Sequence, residues 1–471
     1  RGKNLFGTVS TFYVAMEVAV AAGNGSFIII EAQFPQSEFI GTRSIHDSID
    51  MFTVPSESLL KDLTLRGQRY QEICGTGQGT GSGIMVKYDA GCFIPTSKGS
   101  LKGGSSKAGS YSQASRSGGR MMVDTSAAWA RGVHCANTTG VAADMVVTSL
   151  KSYSQKRSQQ AAATNQSDHY STGTQVSSDW DSNLLIIDGP LPDFMARITW
   201  PVVPGFSLQG RTWGVAMVHG TKSVKFNETA FESLVMSASR KKLIQALVMS
   251  HEKMKSADLI AGKGEGSIFL LHGPPGVGKT LTAEAISEML HKPLYIVSMG
   301  ELGTTPESLE ERLQDILDLC IPWKALVLID EAEMLLEHRS KNDIVRNAMV
   351  CVMLRLLEYY SGILFLTTNR VESLDPAFQS RVTCALRYDP LSQESRKEIW
   401  FNMMRKLDVD VSKIDVEKLA KHNINGRQIK NTLQLAAALA HHDEIELSQE
   451  HLESTIDITT SFLNEVRGGN K

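Results

Sequence analysis

Eight consecutive residues, Gly273-Pro274-Pro275-Gly276-Val277-Gly278-Lys279-Thr280, constrain this chain more than any other feature. They follow the apolar run Ile268-Phe269-Leu270-Leu271 and open a stretch of helical character, so strand, tight loop and helix are expected in that order. The spacing is G-x-x-x-x-G-K-[ST], in which glycines let the backbone wrap closely round phosphate oxygens. Backbone N–H groups and the helix N-terminus then supply positive potential. Lys279 is placed to reach the outer phosphates and the Thr280 hydroxyl to ligate Mg²⁺.

Downstream of Phe231 the pattern is regular. Helices are predicted over 239–254, 280–290, 306–320 and 343–359, and strands over 267–271, 294–297, 325–329 and 362–367. Strands alternating with helices of this length imply right-handed βαβ units in a parallel sheet. Continuous apolar runs such as Leu326-Val327-Leu328-Ile329 suit strands covered on both faces. Past Pro390 strands become scarce. Helical stretches over 392–406, 416–422, 426–442 and 449–466 predict a small all-helical domain.

In such a sheet the strand over 325–329 delivers Asp330 and Glu331 beside the phosphate loop. Given that loop, Asp330 is expected in the Mg²⁺ shell and Glu331 to polarise an attacking water. The strand over 362–367 leads to Asn369, whose neutral amide can hydrogen-bond water and the terminal phosphate without adding charge. Alone, an Asn at a strand end is an ordinary turn former.

These motifs, with Thr367-Thr368-Asn369-Arg370 and Leu374-Asp375-Pro376-Ala377-Phe378-Gln379-Ser380-Arg381 after them, resemble the AAA+ ATPase module of the AAA branch. The resemblance runs from Ser267 to Tyr388, with a helical lid to the C-terminus. It implies an α/β P-loop NTPase fold, a parallel sheet with helices on both faces, followed by the all-helical lid. It also implies ATP with Mg²⁺, the metal held by Thr280 and Asp330. Nucleotide contacts are implied along Gly273, Pro274, Pro275, Gly276, Val277, Gly278, Lys279, Thr280 and Leu281, and at Asp330. Lys279 and Glu331 take catalytic roles. Asn369 falls at the sensor-1 position, and Arg381 at an arginine-finger position that projects into a neighbouring subunit's nucleotide. Gly426-Arg427-Gln428-Ile429 resembles the sensor-2 turn, with Arg427 touching phosphate within its own subunit. A guanidinium suits charge on transferring phosphoryl oxygens because it forks and stays charged. Such fingers can be worth roughly 10³–10⁵ in rate.

The run Leu354-Arg355-Leu356-Leu357-Glu358-Tyr359-Tyr360 and the segment Pro204-Gly205-Phe206-Ser207-Leu208 resemble fungal-type AAA ATPases with an N-terminal domain of uncharacterised function. The implied division is an α+β N-terminal domain over 1–230 and a linker helix with nucleotide-base loop over 231–266. The large ATPase subdomain follows over 267–390 and the lid over 391–471. Adenine contacts are expected near Leu259-Ile260-Ala261.

At 471 residues the chain has room for two to four domains. The N-terminal half carries Gly/Ser-rich and Ser/Gln/Thr-rich stretches over 74–119 and 152–178, which read as long loops. A helix is predicted over 56–73, with strands over 120–124, 183–188 and 212–218. The run Gly75-Thr76-Gly77-Gln78-Gly79-Thr80-Gly81 has no Lys-Ser/Thr ending and reads as a flexible loop, not a second phosphate site. The apolar stretch from Phe12 to Ala22 is too short to span a bilayer and resembles no signal peptide. Six cysteines without zinc spacing suggest reduced thiols and an intracellular setting, cytoplasm or nucleus.

The leading expectation is an oligomeric ring, a hexamer by family resemblance, that couples Mg²⁺-dependent ATP hydrolysis to remodelling a macromolecular client, most simply a protein. A nucleic-acid motor or loader is the alternative, and a net charge of −3 with no recognisable nucleic-acid-binding motif speaks against it. An ATP-gated scaffold with little turnover is disfavoured by the presence of Glu331, Asn369 and Arg381. A small-molecule P-loop kinase needs neither a finger from a neighbour nor a helical lid. The loop Ser298-Met299-Gly300-Glu301-Leu302-Gly303 stands where threading relatives carry an aromatic pore residue. An ordinary strand–helix loop is the favoured reading there, with Met299 or Leu302 as a weak substitute for the aromatic.

Overall fold

The computed structural model describes residues 13–23, 26–35, 57–74, 83–96, 117–133, 185–251, 266–338, 343–370, 374–407 and 409–468. The chain forms two compact units, Arg1–Lys225 and Phe226–Lys471.

The first unit contains, in chain order, β1 (Tyr13–Gly23), β2 (Ser26–Pro35), α1 (Glu57–Cys74), β3 (Ile84–Tyr88), β4 (Phe93–Pro95), β5 (Gly119–Val123), α2 (Thr125–Ala130), β6 (Leu185–Asp188), α3 (Asp193–Ala196), β7 (Val202–Ser207), β8 (Thr212–Met217) and β9 (Thr221–Ser223). Among the described residues these strands make two antiparallel sheets, ordered β1-β2-β6 and β4-β8-β7-β5-β3-β9. Two of the strands, β3 and β4, lie inside the Gly/Ser-rich stretch that the sequence reads as loop. The correction has a local cause. Ile84 to Tyr88 alternates, with Val86 and Tyr88 buried and Lys87 exposed, which is the period of a half-buried strand. Glycine-rich flanks hide so short a signal. Helix α1 packs closely on α3, where a Cβ at Gly67 would meet the Ala196 carbonyl oxygen at 1.8 Å. The run Gly75 to Gly81, and residues 152–178, lie outside the described residues.

The second unit begins with α4 (Ala238–Ser250). It continues through β10 (Ser267–His272), α5 (Lys279–Met289), β11 (Leu294–Val297), α6 (Met299–Leu302), α7 (Pro306–Cys320), β12 (Leu326–Ile329), α8 (Glu333–Leu336), α9 (Ile344–Tyr359), β13 (Ile363–Thr368) and β14 (Cys384–Arg387). The strands form a parallel sheet in the order β11-β12-β13-β10-β14. That order matters for chemistry. The chain leaves β10 for the far edge at β11, and β13 returns to lie between β10 and β12, so the C-terminal tips of β10, β12 and β13 converge at a topological switch point. Strand β14 was not legible in the sequence. It is an edge strand in which only Leu386 is buried, so it carries no continuous apolar run.

Burial drives this arrangement. Strands β12 and β13 are buried along their whole length, and Phe269 stacks on Phe365 across β10 and β13 with ring centroids 5.0 Å apart. Each such side chain contributes about 1.5–3 kcal/mol on leaving water. Helix starts are set locally. Thr305 and Ser308 form a capping box that brackets Pro306 at the first helical position, and the Asp343 carboxylate accepts from the Arg346 N–H at 2.9 Å.

The lid consists of α10 (Gln393–Lys406), α11 (Val416–Ala420), α12 (Gly426–His442) and α13 (Gln449–Gly468). Trp400, Met404, Leu419, Ile429, Leu433, Leu452 and Ile456 form its core.

Candidate active site

The phosphate loop is shaped by three glycines in the left-handed region. Gly273 has φ +143°, and a Cβ there would meet the Tyr388 carbonyl oxygen at 2.1 Å. Gly276 has φ +77° and packs against Asn425 of the lid, and Gly278 has φ +102° where α5 begins. Lys279 is 8% exposed, and its ammonium donates to Gly273 O at 2.7 Å, Pro274 O at 2.8 Å and Asn369 Oδ1 at 2.8 Å. Burial lowers its pKa, with Arg427 pushing the same way and the carboxylates of Glu333, Asp330 and Glu331 opposing.

Opposite the loop, the tips of β12 and β13 are laced together. The Thr280 hydroxyl donates to Asp330 Oδ1 at 3.0 Å. Thr367 donates to the same Asp330 oxygen at 2.5 Å and accepts from the Glu331 N–H at 2.9 Å. The Thr367 carbonyl accepts from the Ala332 N–H at 2.9 Å. These bonds hold Glu331 at φ +53°, a conformation that costs an L-residue roughly 1–2 kcal/mol. Asn369 donates to Glu333 Oε1 from both its backbone N–H, at 2.7 Å, and its side-chain amide, at 2.9 Å. A cleft of about 590 Å³ opens here, lined by Pro275, Glu331, Glu333, Glu337, Asn369 and Arg370. The paired Thr280 hydroxyl and Asp330 carboxylate are hard oxygen donors, which fits Mg²⁺.

The structure thus brings together Lys279, Thr280, Asp330, Glu331 and Asn369. Arg427 stands exposed in the first turn of α12, where its charge reaches Lys279. The lid meets the loop directly, because the Gly426 N–H donates to Gly276 O at 2.9 Å. Arg381 is engaged by α9 instead. Its guanidinium donates to Leu354 O at 3.0 Å, Ala377 O at 3.1 Å and Glu358 Oε2 at 3.0 Å. Nearby Arg387 pairs with Asp389 at 2.9 Å. The segment Leu259-Ile260-Ala261 lies outside the described residues.

Of the two weak pore-residue candidates, Leu302 is excluded, because it is fully buried at the end of α6. Tyr295 donates to the Glu301 carboxylate at 2.7 Å and Arg312 to the Glu301 carbonyl at 3.0 Å, tying the loop down. Met299 remains partly exposed.

Three site residues were missed. Thr367 stands within the quoted Thr-Thr-Asn-Arg, and Glu333 is the second acid of Asp330-Glu331-Ala332-Glu333, so both were visible but unassigned. Tyr388, whose hydroxyl bonds Thr282 Oγ1 at 2.7 Å, had no sequence signal at all.

Comparison with known proteins agrees with this geometry. Residues 269–389 match the model of the ATPase family associated with various cellular activities (AAA), and residues 391–468 match the fungal AAA+ ATPase lid domain. Over 116 residues the chain is 31% identical to "Probable mitochondrial chaperone bcs1" of Schizosaccharomyces pombe, covering 23% of this chain and 25% of that protein. It is 35% identical over 121 residues to the nuclear valosin-containing protein-like protein of Mus musculus, covering 23% and 14%. A third relative, the 26S proteasome regulatory subunit 8 homolog of S. pombe, is 25% identical over 234 residues, covering 46% and 56%. The chain therefore spans only 14% to 56% of these relatives' own lengths. With the sheet order, the phosphate loop and the helical lid in place, residues 269–389 are an AAA ATPase domain and residues 391–468 its fungal-type AAA+ lid.

Proposed function

We propose that this protein hydrolyses ATP in an Mg²⁺-dependent reaction as a ring oligomer and uses the cycle to remodel a protein client. The observation that carries the reading is the setting of Lys279, a buried ammonium held by three oxygens within one site that also contains the Thr280–Asp330 pair. A phosphate chain entering the glycine cradle would replace the carbonyl contacts of that ammonium with stronger charge-assisted ones.

In this mechanism the cradle N–H groups and Lys279 bind the outer phosphates. Thr280 and Asp330 would hold Mg²⁺, which neutralises charge on the phosphate oxygens when bound. Glu331, poised by its N–H bond to Thr367, takes a proton from the attacking water as that water's oxygen bonds to the γ-phosphorus. The bond from the γ-phosphorus to the bridging oxygen breaks, leaving ADP and inorganic phosphate. Asn369 orients the water. Arg427 reports the phosphate to the lid, and Gly426 N–H on Gly276 O offers a short mechanical route for it. Arg381 acts on the neighbour's nucleotide, for which it must leave Glu358.

AAA proteins generally form oligomeric rings, which supports the trans role of Arg381. The proposed division follows the sequence reading: a client-selecting region over 1–230, a linker over 231–266, the ATPase body over 267–390 and the lid over 391–471. No helix among the described residues is long and apolar enough to cross a membrane. We propose a cytoplasmic or nuclear setting from the cysteine pattern of the sequence.

The test is phosphate release by purified protein with ATP. Turnover should require Mg²⁺, rise per protomer with protein concentration, and vanish in Glu331→Gln while ATP binding persists. Client capture in ATP should then be strong for Glu331→Gln and lost for Lys279→Ala. Turnover unchanged by Glu331→Gln, or independent of concentration, refutes the reading.

A further inference from the structure

The mechanism uses Asn369 but leaves Glu333 without a role, although the two are bound twice. Glu333 stands at the start of α8, and the preceding residue is pinned to β13 by the Ala332 N–H on Thr367 O at 2.9 Å. The carboxylate is therefore held in register with the β13 tip by a rung independent of Asn369. Across that gap one oxygen, Oε1, accepts both Asn369 N–H and Nδ2–H, at 2.7 and 2.9 Å. On the other side of the same amide lies the Lys279 ammonium, 2.8 Å from Oδ1.

An ionised carboxylate only accepts and an ammonium only donates, so the amide between them can be satisfied in one orientation alone. Its NH₂ must face Glu333 and its oxygen must face the phosphate loop. We propose that Glu333 is the positioning residue for Asn369, holding the amide so that its oxygen is the acceptor presented to Lys279 and to the attacking water. Without it the Asn369 N–H and Nδ2–H lose their shared acceptor, and the amide, held only through the Lys279 ammonium, is free to swing from the β13 tip. The inference rests on the reading that Asn369 contacts the reacting groups. It adds that the amide acts there as an acceptor, and that a second acid, distinct from the water-polarising Glu331, enforces this.

Steady-state ATPase kinetics on the full chain test it, with Glu333→Ala, Glu333→Gln, Asn369→Ala and the double variant Glu333→Ala/Asn369→Ala. Misplacing a water-orienting group should lower kcat roughly 10–100-fold while KM stays within about twofold. Glutamine keeps an acceptor Oε1 for both bonds, so Glu333→Gln should recover to within about threefold of the unmodified protein. Because Glu333 acts through Asn369, the double variant should be no slower than Asn369→Ala alone, a full loss of additivity. If Asn369→Ala is impaired but Glu333→Ala is not, the positioning role fails and the Asn369 reading stands. Full kcat in Asn369→Ala overturns both. Multiplying losses in the double variant, or a Glu333→Gln as dead as Glu331→Gln, would show that the carboxylate acts by its charge and overturn the proposal.

Discussion

Replacing Thr367 by valine is the sharpest perturbation of the site, because it changes shape little and chemistry completely. Thr367 is 1% exposed, and its hydroxyl bridges two groups, donating to Asp330 and accepting from the Glu331 N–H. Valine removes both bonds. A hydrogen bond to a charged group is worth about 1.5–3 kcal/mol, and the part-buried Glu331 N–H left without a partner costs a further ~1 kcal/mol. Asp330 keeps its Thr280 partner, which tempers the first figure, so we expect a loss of about 3 kcal/mol. Thr367→Ser is the control: it keeps the hydroxyl and loses one buried methyl, at a cost of about 1 kcal/mol. Urea unfolding followed by tryptophan fluorescence should show the valine midpoint well below the serine midpoint at equal slope. At about 3 kcal/mol per molar urea the valine midpoint falls by about 1 M from the unmodified protein. The same change frees Glu331 from its left-handed conformation, so kcat should fall at least tenfold while serine stays near normal. A valine variant that unfolds no earlier than the serine variant, with turnover intact, would refute the claim that this hydroxyl holds the catalytic tip together.

Gly273→Ala should abolish nucleotide binding, since its Cβ would lie 2.1 Å from Tyr388 O. By contrast a Cβ at Gly278 meets no protein atom within 4 Å, so Gly278→Ala should cost the fold only backbone strain of about 1–2 kcal/mol while weakening nucleotide binding through the methyl it adds to the phosphate cradle. Binding of a fluorescent ATP analogue, with Tm for each variant, separates them. Arg381→Ala should lower stability by about 2–3 kcal/mol independently of any finger role, because Leu354 O, Ala377 O and Glu358 all lose a donor. Equal Tm for the variant and the unmodified chain contradicts this. The Tyr388 hydroxyl is pushed up to about 12 from 10.0 by burial, partly offset by its bond to Thr282. The unfolded chain therefore loses this proton first, and stability should fall as pH rises from about 10 toward 12, a slope that Tyr388→Phe flattens in alkaline unfolding curves.

The catalytic motifs were legible because they are contiguous. Gly273 to Thr280 and Leu326 to Glu331 carry their chemistry in adjacent residues, and the helices α7 and α12 begin and end where caps and periodicity place them. The cross-strand partners were not. Thr367 reaches Asp330, Glu333 reaches Asn369 and Arg381 reaches Glu358 only because β13 inserts between β10 and β12 or because the chain turns back on α9. The same holds for β14, which has little apolar signal of its own and exists by pairing with β10. Local sequence thus dictated which backbone could wrap a phosphate and where the main helices and buried strands of the ATPase body lie, since those preferences act over a few residues. Pairing in space decided which polar atoms met, because a hydrogen bond depends on a position within tenths of an ångström that no single segment controls.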